Sequence, residues 1–151
     1  MMRSFFAHVL ADALAPSMAR WSRKREIDIL ESGRALPDEL VRFAKGLGIP
    51  DPEGIRLQLV SRIPLPLPPW LVDFGRRIGL PVFEPAGMAL GRGISAISDD
   101  PSLLRHEIVH LGQYQRLGSH QAFMHAYILQ CVVHGYFDAP LEQEARRESE
   151  P

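Results

Sequence analysis

Two histidines and a glutamate stand close together in the second half of the chain, in the order His106-Glu107-Ile108-Val109-His110. In a helix, residues four apart share a face, so the imidazoles of His106 and His110 can approach one metal ion. Glu107 lies beside them, where its carboxylate can accept a proton from water. Two imidazoles and one further carboxylate suit Zn²⁺ and leave a position open for water. The pattern predicts zinc-dependent hydrolysis with Glu107 as the general base and later the general acid.

The helix that carries this motif has clear start and stop signals. Asp100 is a favourable N-cap, Pro101 fits the first helical position, and Gly118 can end the helix. The motif therefore lies on a helix, as the chemistry requires.

An alternative is that the motif decorates a solvated helix face, with Glu107 paired to Arg105 or Arg116. Leu104 and Ile108 lie in the same helix and indicate that one of its faces is buried. Idle histidine and glutamate side chains are costly there. The sequence therefore favours a metal site.

A third ligand has to come from elsewhere in the chain. No histidine follows at the spacing HExxHxxGxxH, which excludes a metzincin. The downstream segment PLEQEARR offers Glu142 and Glu144. These two lie on different faces of a helix, so only one of them can face the histidines.

The segments LLRHEIVHLGQYQRLG and HGYFDAPLEQEA resemble the gluzincins, the zinc peptidases with two histidines from HExxH and a glutamate from a later helix. They are especially similar to the small single-domain minigluzincin type and to short bacterial metallopeptidase-like proteins with HExxHxxQY followed by PLExEA. The resemblance is strong over about the last 60 residues and weaker over the glycine-containing stretch from Ala86 to Ile97. Nothing comparable covers residues 1–50.

This resemblance implies a zinc metallopeptidase in which the third ligand opens the pattern Glu-x-x-Ala/Ser-Asp. On this chain the pattern selects Glu142, with Ala145 at the small position and Glu144 as the reserve ligand. Arg146 stands where the family often has an Asp that accepts the second ring proton of a ligand histidine. Arginine cannot accept a hydrogen bond, so we expect another carboxylate or a backbone carbonyl to take that role.

The resemblance also implies that the strand before the active-site helix is a sheet edge to which an extended peptide substrate adds. In this chain that strand consists of Gly93, Ile94, Ser95 and Ala96. Main-chain hydrogen bonds along such an edge hold a scissile carbonyl in place. The developing oxyanion also needs a donor, for which Tyr136 and His134 in the turn before the ligand helix are candidates.

Composition limits the class of protein. With 151 residues, 46% hydrophobic and 23% charged, the chain is expected to form a single globular domain over 1–151. A formal net charge of -1 gives no global field for a polyanion, so no nucleic-acid partner is expected. The single Cys131 excludes an internal disulfide and indicates a reducing compartment.

The patterns predict an α+β fold, mostly helical with a small twisted sheet. We expect helices in 1–50, strands and a proline-rich connector in 51–98, and the metal-binding helices in 99–151. The opening helix is expected to dock on the core through an apolar line and to be followed by a separate helix over Arg20–Leu30. The line consists of Phe5, Phe6, Val9, Leu10, Ala13 and Leu14.

The middle of the chain is expected to hold three strands and one short helix. Alternation predicts a strand over Ile55–Val60, a second starting at Val82 and Phe83, and a third in the stretch GMALGRGISAIS. A helix is expected over Trp70–Ile78. After the motif, helices are expected from Ser119 through Val133 and from near Asp138–Pro140 onward.

No apolar run is long enough to span a bilayer, and the start is a poor signal peptide, so a cytoplasmic protein acting on peptides or proteins is expected, with export not excluded. Two alternatives stay open. One is a catalytically silent metal-binding interaction module. The other is a membrane-surface or nucleic-acid adaptor that uses the basic segment Arg20–Arg25.

Overall fold

Six α-helices and four short strands make up the described part of the chain, residues 2–77 and 84–151 of a computed structural model. In chain order they are α1 (Met2–Ser32), β1 (Arg34–Ala35), α2 (Asp38–Gly46), β2 (Arg56–Leu59), α3 (Pro69–Arg77), β3 (Gly87–Leu90), β4 (Gly93–Ala96), α4 (Pro101–Leu117), α5 (His120–His134) and α6 (Pro140–Glu148). The mainly helical content with one small sheet confirms the α+β class.

The first helix is continuous, so the prediction of two separate helices is wrong. Pro16 lies inside α1 and removes one backbone donor from its hydrogen-bond ladder. Extensive packing of α1 along α5 offsets that loss. The packing of α1 against α5 therefore determines the length of this helix, although a proline within a helix usually favours a break.

The predicted apolar line of α1 is wrong for Phe5, Phe6, Val9 and Ala13, which are exposed, whereas Leu10 and Leu14 do pack against the core. Phe5, Phe6 and Val9 are 73%, 61% and 50% exposed, whereas the buried stripe consists of alanines four residues apart. These are Ala7, Ala11, Ala15 and Ala19. Small side chains let the backbones of two helices approach closely, which explains why this face, and not the aromatic one, packs inward.

The sheet has the strand order β1-β2-β4-β3. Strands β1 and β2 are antiparallel, β2 and β4 are parallel with Arg56 opposite Gly93, and β4 and β3 form an antiparallel hairpin. The stretch predicted as a single third strand is therefore two strands. Gly91 makes the turn at φ +67°, a conformation that favours glycine. The strand predicted at Val82 and Phe83, and the predicted end of α3 at Ile78, lie outside the described residues.

Strand β4 is an interior strand, so the predicted substrate-binding edge is wrong. It pairs with β2 on one side and with β3 on the other, and all four of its residues are buried. These residues are Gly93, Ile94, Ser95 and Ala96. The hairpin folds the preceding segment back along β4, so the two edges of the described sheet are β1 and, next to the motif helix, β3.

The three helices of the second half begin and end close to where the sequence predicts. The Asp100 side chain accepts hydrogen bonds from the first turn of α4, and Gly118 ends that helix at φ +90°. Ser119 caps α5 through the backbone N–H of Ala122. The apolar side of α4 lies in the core, with Leu104, Ile108 and Leu111 at most 1% exposed. Among the described helices, none is both long and apolar enough to cross a membrane.

Candidate metal centre

The two motif histidines face the same point from successive turns of α4. Their Nε2 atoms are 3.2 Å apart, and the ring planes are nearly perpendicular. The His110 side chain is 6% exposed and that of His106 is 20% exposed, so His106 lies nearer to solvent. This is the geometry that the four-residue spacing predicts.

Glu142 reaches the same point from α6. Its Oε2 lies 3.2 Å from Nε2 of His106, and its Oε1 lies 3.3 Å from Nε2 of His110. The start of α6 is fixed to α5 by a hydrogen bond of 2.8 Å from the Leu141 backbone N–H to the side-chain oxygen of Gln130. Glu142 is 1% exposed, so α6 carries a carboxylate into the interior at this position.

Glu144, the reserve ligand, is directed elsewhere. Its two oxygens accept hydrogen bonds of 2.8 Å each from the guanidinium of Arg116. The structure brings Glu142, and not Glu144, to the histidines, because two residues along a helix correspond to opposite sides of it. Arg116 is thereby engaged away from Glu107, and Arg105 pairs with Glu39. Both pairings proposed for Glu107 on a solvated face are therefore absent.

Gln113 fixes the orientation of His110. Its Nε2 donates to the Leu141 carbonyl and to Glu144, at 2.9 Å each, so its Oε1 is the atom that lies 2.7 Å from Nδ1 of His110. Because an amide oxygen only accepts, Nδ1 of His110 carries a proton and donates it. In the neutral ring, Nε2 then presents its lone pair to the centre. An amide thus takes the role that we expected of a carboxylate or a backbone carbonyl.

Tyr127 holds the third ligand in place. Its hydroxyl donates to Oε1 of Glu142 at 2.7 Å. Burial by itself raises the pKa of Glu142, but the adjacent imidazoles of His106 and His110 and the hydrogen bond from Tyr127 lower it far below its ordinary value. Glu142 is therefore an anion in the folded protein.

The arrangement attracts positive charge. Burial lowers the pKa of His110, but the hydrogen bond to Glu142 and the charge of Glu107 outweigh it and raise that pKa overall. Oε2 of Glu142 is buried and has no hydrogen-bond partner among the described residues. One atom from each of His106, His110 and Glu142 lies within 4.8 Å of the others. This donor set fits a divalent metal ion, with zinc as the ion that its chemistry suits.

Glu107 lies on the wall of a cavity of about 570 Å³ that also reaches His106. It is 5% exposed, and the backbone N–H of Ala89 in β3 hydrogen-bonds its carboxylate. Burial raises the pKa of Glu107, although the neighbouring His110 and His106 act in the opposite direction. A carboxylate of raised pKa beside two imidazoles is equipped to take up and release a proton.

The two candidate oxyanion donors differ in position. Tyr136 lines the cavity, and burial together with the charges of Glu142 and Glu107 raises the pKa of its hydroxyl, which therefore stays protonated. His134 is exposed at the end of α5 and is not among the described residues that line the cavity. Of the two, the structure brings Tyr136 to the site.

Sequence reasoning missed the role of Tyr127, whereas it offered a Glu142–Arg146 pair as an alternative for an exposed terminal helix. Tyr127 falls on an apolar line of α5 four residues from Phe123, and the need of a buried hydroxyl for a partner was the available signal. Arg146 follows Glu142 by one turn of α6, and its Nη2 lies 3.8 Å from Oε2 of Glu142. The four-residue spacing predicts this ion pair, but the structure places Glu142 in the interior and not on an exposed surface.

Comparison with known proteins adds no relative. No protein-family model matches the chain, and no curated protein or solved structure is significantly similar to it. The resemblance to small gluzincins therefore stays a prediction that rests on the HExxH and PLExEA segments.

Proposed function

We propose that this protein is a zinc-dependent metallopeptidase in which His106, His110 and Glu142 hold the metal. The observation that carries the proposal is the convergence of three metal-ligating atoms within 4.8 Å beside a cavity whose wall includes Glu107. When bound, zinc supplies a Lewis acid that polarises water and the scissile carbonyl.

The side chains of the chain supply the proton transfers. Glu107 accepts a proton from the attacking water as the water oxygen bonds to the scissile carbonyl carbon. It then delivers that proton to the leaving nitrogen as the carbon–nitrogen bond breaks, which yields a carboxylic acid and an amine. Tyr136 donates a hydrogen bond to the developing oxyanion. In this proposal the backbone of β3, next to Glu107, replaces β4 as the edge that binds an extended peptide.

The substrate in this proposal is a peptide or protein, and the compartment is the cytoplasm. The location rests on cysteine usage, since the one cysteine cannot form an internal disulfide. A net charge of -1 favours no nucleic-acid partner.

One observation favours a second candidate, a metal-binding interaction module without turnover. The Arg146 guanidinium lies 3.8 Å from Oε2 of Glu142, so a positive charge competes with a metal ion for that oxygen. Weaker metal binding lowers the occupancy that catalysis needs.

The test is metal content and peptide cleavage in protein purified without a metal-affinity tag. We expect about one zinc per chain in the wild type and in Glu144→Ala, and loss of zinc in Glu142→Ala. Glu107→Gln should keep zinc and lose cleavage of a peptide library by roughly 10²- to 10⁴-fold. A protein that cannot be loaded with zinc contradicts the metal site. Zinc binding with no cleavage in any variant supports the interaction module instead.

A further inference from the structure

We propose that Arg146 determines substrate specificity by binding a carboxylate of the substrate close to the scissile bond. The proposal rests on the proposed function, because it assigns a ligand to the same cavity. It names the substrate class as peptides that carry a negative charge within one or two residues of the bond that is cleaved.

The position of Arg146 is the first argument. It lines the same cavity as His106 and Glu107, from a position on α6 one turn after Glu142. Two short steps link it to the centre: 3.8 Å from its Nη2 to Oε2 of Glu142, and 3.2 Å from that oxygen to Nε2 of His106. An extended chain advances ~3.3–3.6 Å per residue, so these steps correspond to one or two substrate residues.

The hydrogen-bonding capacity of Arg146 is the second argument. A guanidinium has five N–H donors. One of them, on Nη1, is donated to the Phe137 carbonyl, and the contact with Glu142 is longer than a hydrogen bond. The group also lies over the rings of Tyr136 and Phe137, with its carbon 5.7 and 5.5 Å from their centroids. These contacts orient the planar fork while the side chain stays 39% exposed. A fixed fork of this kind is suited to bidentate binding of a carboxylate.

The charge of the cavity is the third argument. Among the described residues that line it, Arg146 is the only arginine or lysine. The acidic residues there are Glu84, which pairs with Arg62, the exposed Glu150, and Glu107, which is the general base of the proposed function. A carboxylate that ligates a metal shares its charge with that metal, and the contact of Arg146 with Glu142 is longer than a hydrogen bond, so the guanidinium keeps N–H donors for a substrate anion.

Two sources can supply the carboxylate: the free C-terminus of a peptide, or an acidic side chain. The experiment measures binding of four short peptides to zinc-loaded and to zinc-free protein by calorimetry. One pair differs only in a C-terminal carboxylate or amide. The other pair is amidated and differs only in Asp or Asn next to the bond to be cleaved. We expect about tenfold or tighter binding of the carboxylate member of at least one pair.

Three variants identify the residue responsible. Arg146→Gln should remove the carboxylate preference, and Arg146→Lys should reduce it, because an ammonium group cannot form the bidentate pair. Arg147→Gln is the matched control: it removes the same charge from the next residue, which is exposed and does not line the cavity. It should keep the preference. Zinc content and circular dichroism of each variant report whether the fold and the metal site are intact.

The proposal is overturned if the wild type shows no preference for the carboxylate peptides. It is also overturned if Arg146→Gln keeps the preference, because direct binding of the carboxylate to zinc would then explain it. Turnover is not needed for the measurement. A carboxylate preference that depends on Arg146, in a protein that cleaves no peptide, contradicts the proposed function and supports carboxylate binding by Arg146 alone. The reverse result, cleavage without the carboxylate preference, contradicts only the role proposed for Arg146.

Discussion

Tyr127 and Gln113 position the candidate ligands although neither carries a charge. Tyr127 donates to Oε1 of Glu142, and Gln113 accepts from Nδ1 of His110. Such outer partners fix ring orientation and carboxylate rotamer, so the ligands need not be reorganised when a metal binds. The preorganisation of the centre depends on these two side chains.

Replacing Tyr127 with Phe should therefore weaken zinc binding by roughly 10- to 100-fold while the fold is kept. The variant removes only the hydroxyl that holds Glu142, and a chelator competition titration measures the change. Tyr114→Phe is the matched control, because the hydroxyl of that buried tyrosine contacts Ser22 at 3.3 Å and not the ligands. Equal effects of the two substitutions would show that the hydroxyl of Tyr127 has no special role.

Among the residues of the candidate site, the sequence predicts those whose spacing in the chain forms a motif. His106, Glu107 and His110 follow from the motif, and the choice of Glu142 over Glu144 came from the family pattern. A buried hydroxyl at Tyr127 needs a partner, but which partner it finds was not predictable, because the direction of the hydroxyl depends on how α5 packs against α6. Neither sequence separation nor residue type encodes that packing.

The edge strand β3 and the motif helix α4 meet at Gly87. A Cβ at this position would lie 2.7 Å from Oε1 and 2.9 Å from Cγ of Glu107. The absence of a side chain there thus gives Glu107 its place against the strand. Gly87 is therefore part of the candidate site, because its lack of a side chain leaves room for the carboxylate of Glu107.

Replacing Gly87 with Ala should displace Glu107 and lower the proposed peptidase activity by about 100-fold, without a change in the proposed zinc binding. The buried glutamate has little room to move away, because it is 5% exposed. Parallel assays of cleavage and zinc content check this prediction. Gly46→Ala serves as the control, since a Cβ there meets nothing within 4 Å. Zinc loss in Gly87→Ala would instead indicate a general disruption of the centre.

The sequence predicts single elements better than their arrangement. The ends of α4 were predictable because Asp100, Pro101 and Gly118 act locally. The inward face of α1 was not, because its aromatic and alanine stripes both have helical spacing, and only the partner helix selects between them. The position of β4 inside the sheet depends on β2, far away in sequence, so no local pattern reports it.

A buried polar network connects distant parts of the whole molecule. Ser22 and Glu26 of α1 lie 2.7 Å from the two ring nitrogens of His120 in α5, and Glu26 also accepts from the Arg92 backbone N–H in the β3–β4 turn. Local spacing could not reveal these partners of His120, because both lie in α1, at the other end of the chain. The order Ser-His-Glu matches a hydrolase triad, but Ser22 is fully buried, so substrate cannot reach it. The network joins α1, α5 and the hairpin.

Glu26→Gln should lower the free energy of unfolding by about 1–3 kcal/mol at neutral pH. Burial raises the pKa of Glu26, but hydrogen bonds from His120 and Arg92 outweigh it and bring it below the ordinary 4.5. The stability from its carboxylate is therefore present above pH 4.5 and is lost as pH falls through the lower pKa of the folded state. Urea unfolding of both proteins as a function of pH should show a difference that shrinks in acid.

Glu31→Gln, an exposed change on the same helix, is the control for this measurement and should have little effect at any pH. A difference between Glu26→Gln and the wild type that stays constant through the acid range would show that the charge of Glu26 does not stabilise the fold.

Because the candidate ligands come from two different helices, a metal ion bound to them would also restrict the unfolded chain. A cation shared by His110 of α4 and Glu142 of α6 closes the chain between them, which contains all of α5, into a ring. Such a ring restricts the conformations of the unfolded polypeptide, as a disulfide does. With Cys131 as its one cysteine, the chain has no internal disulfide to serve that purpose. Chelation would therefore remove a cross-link as well as a reactive group.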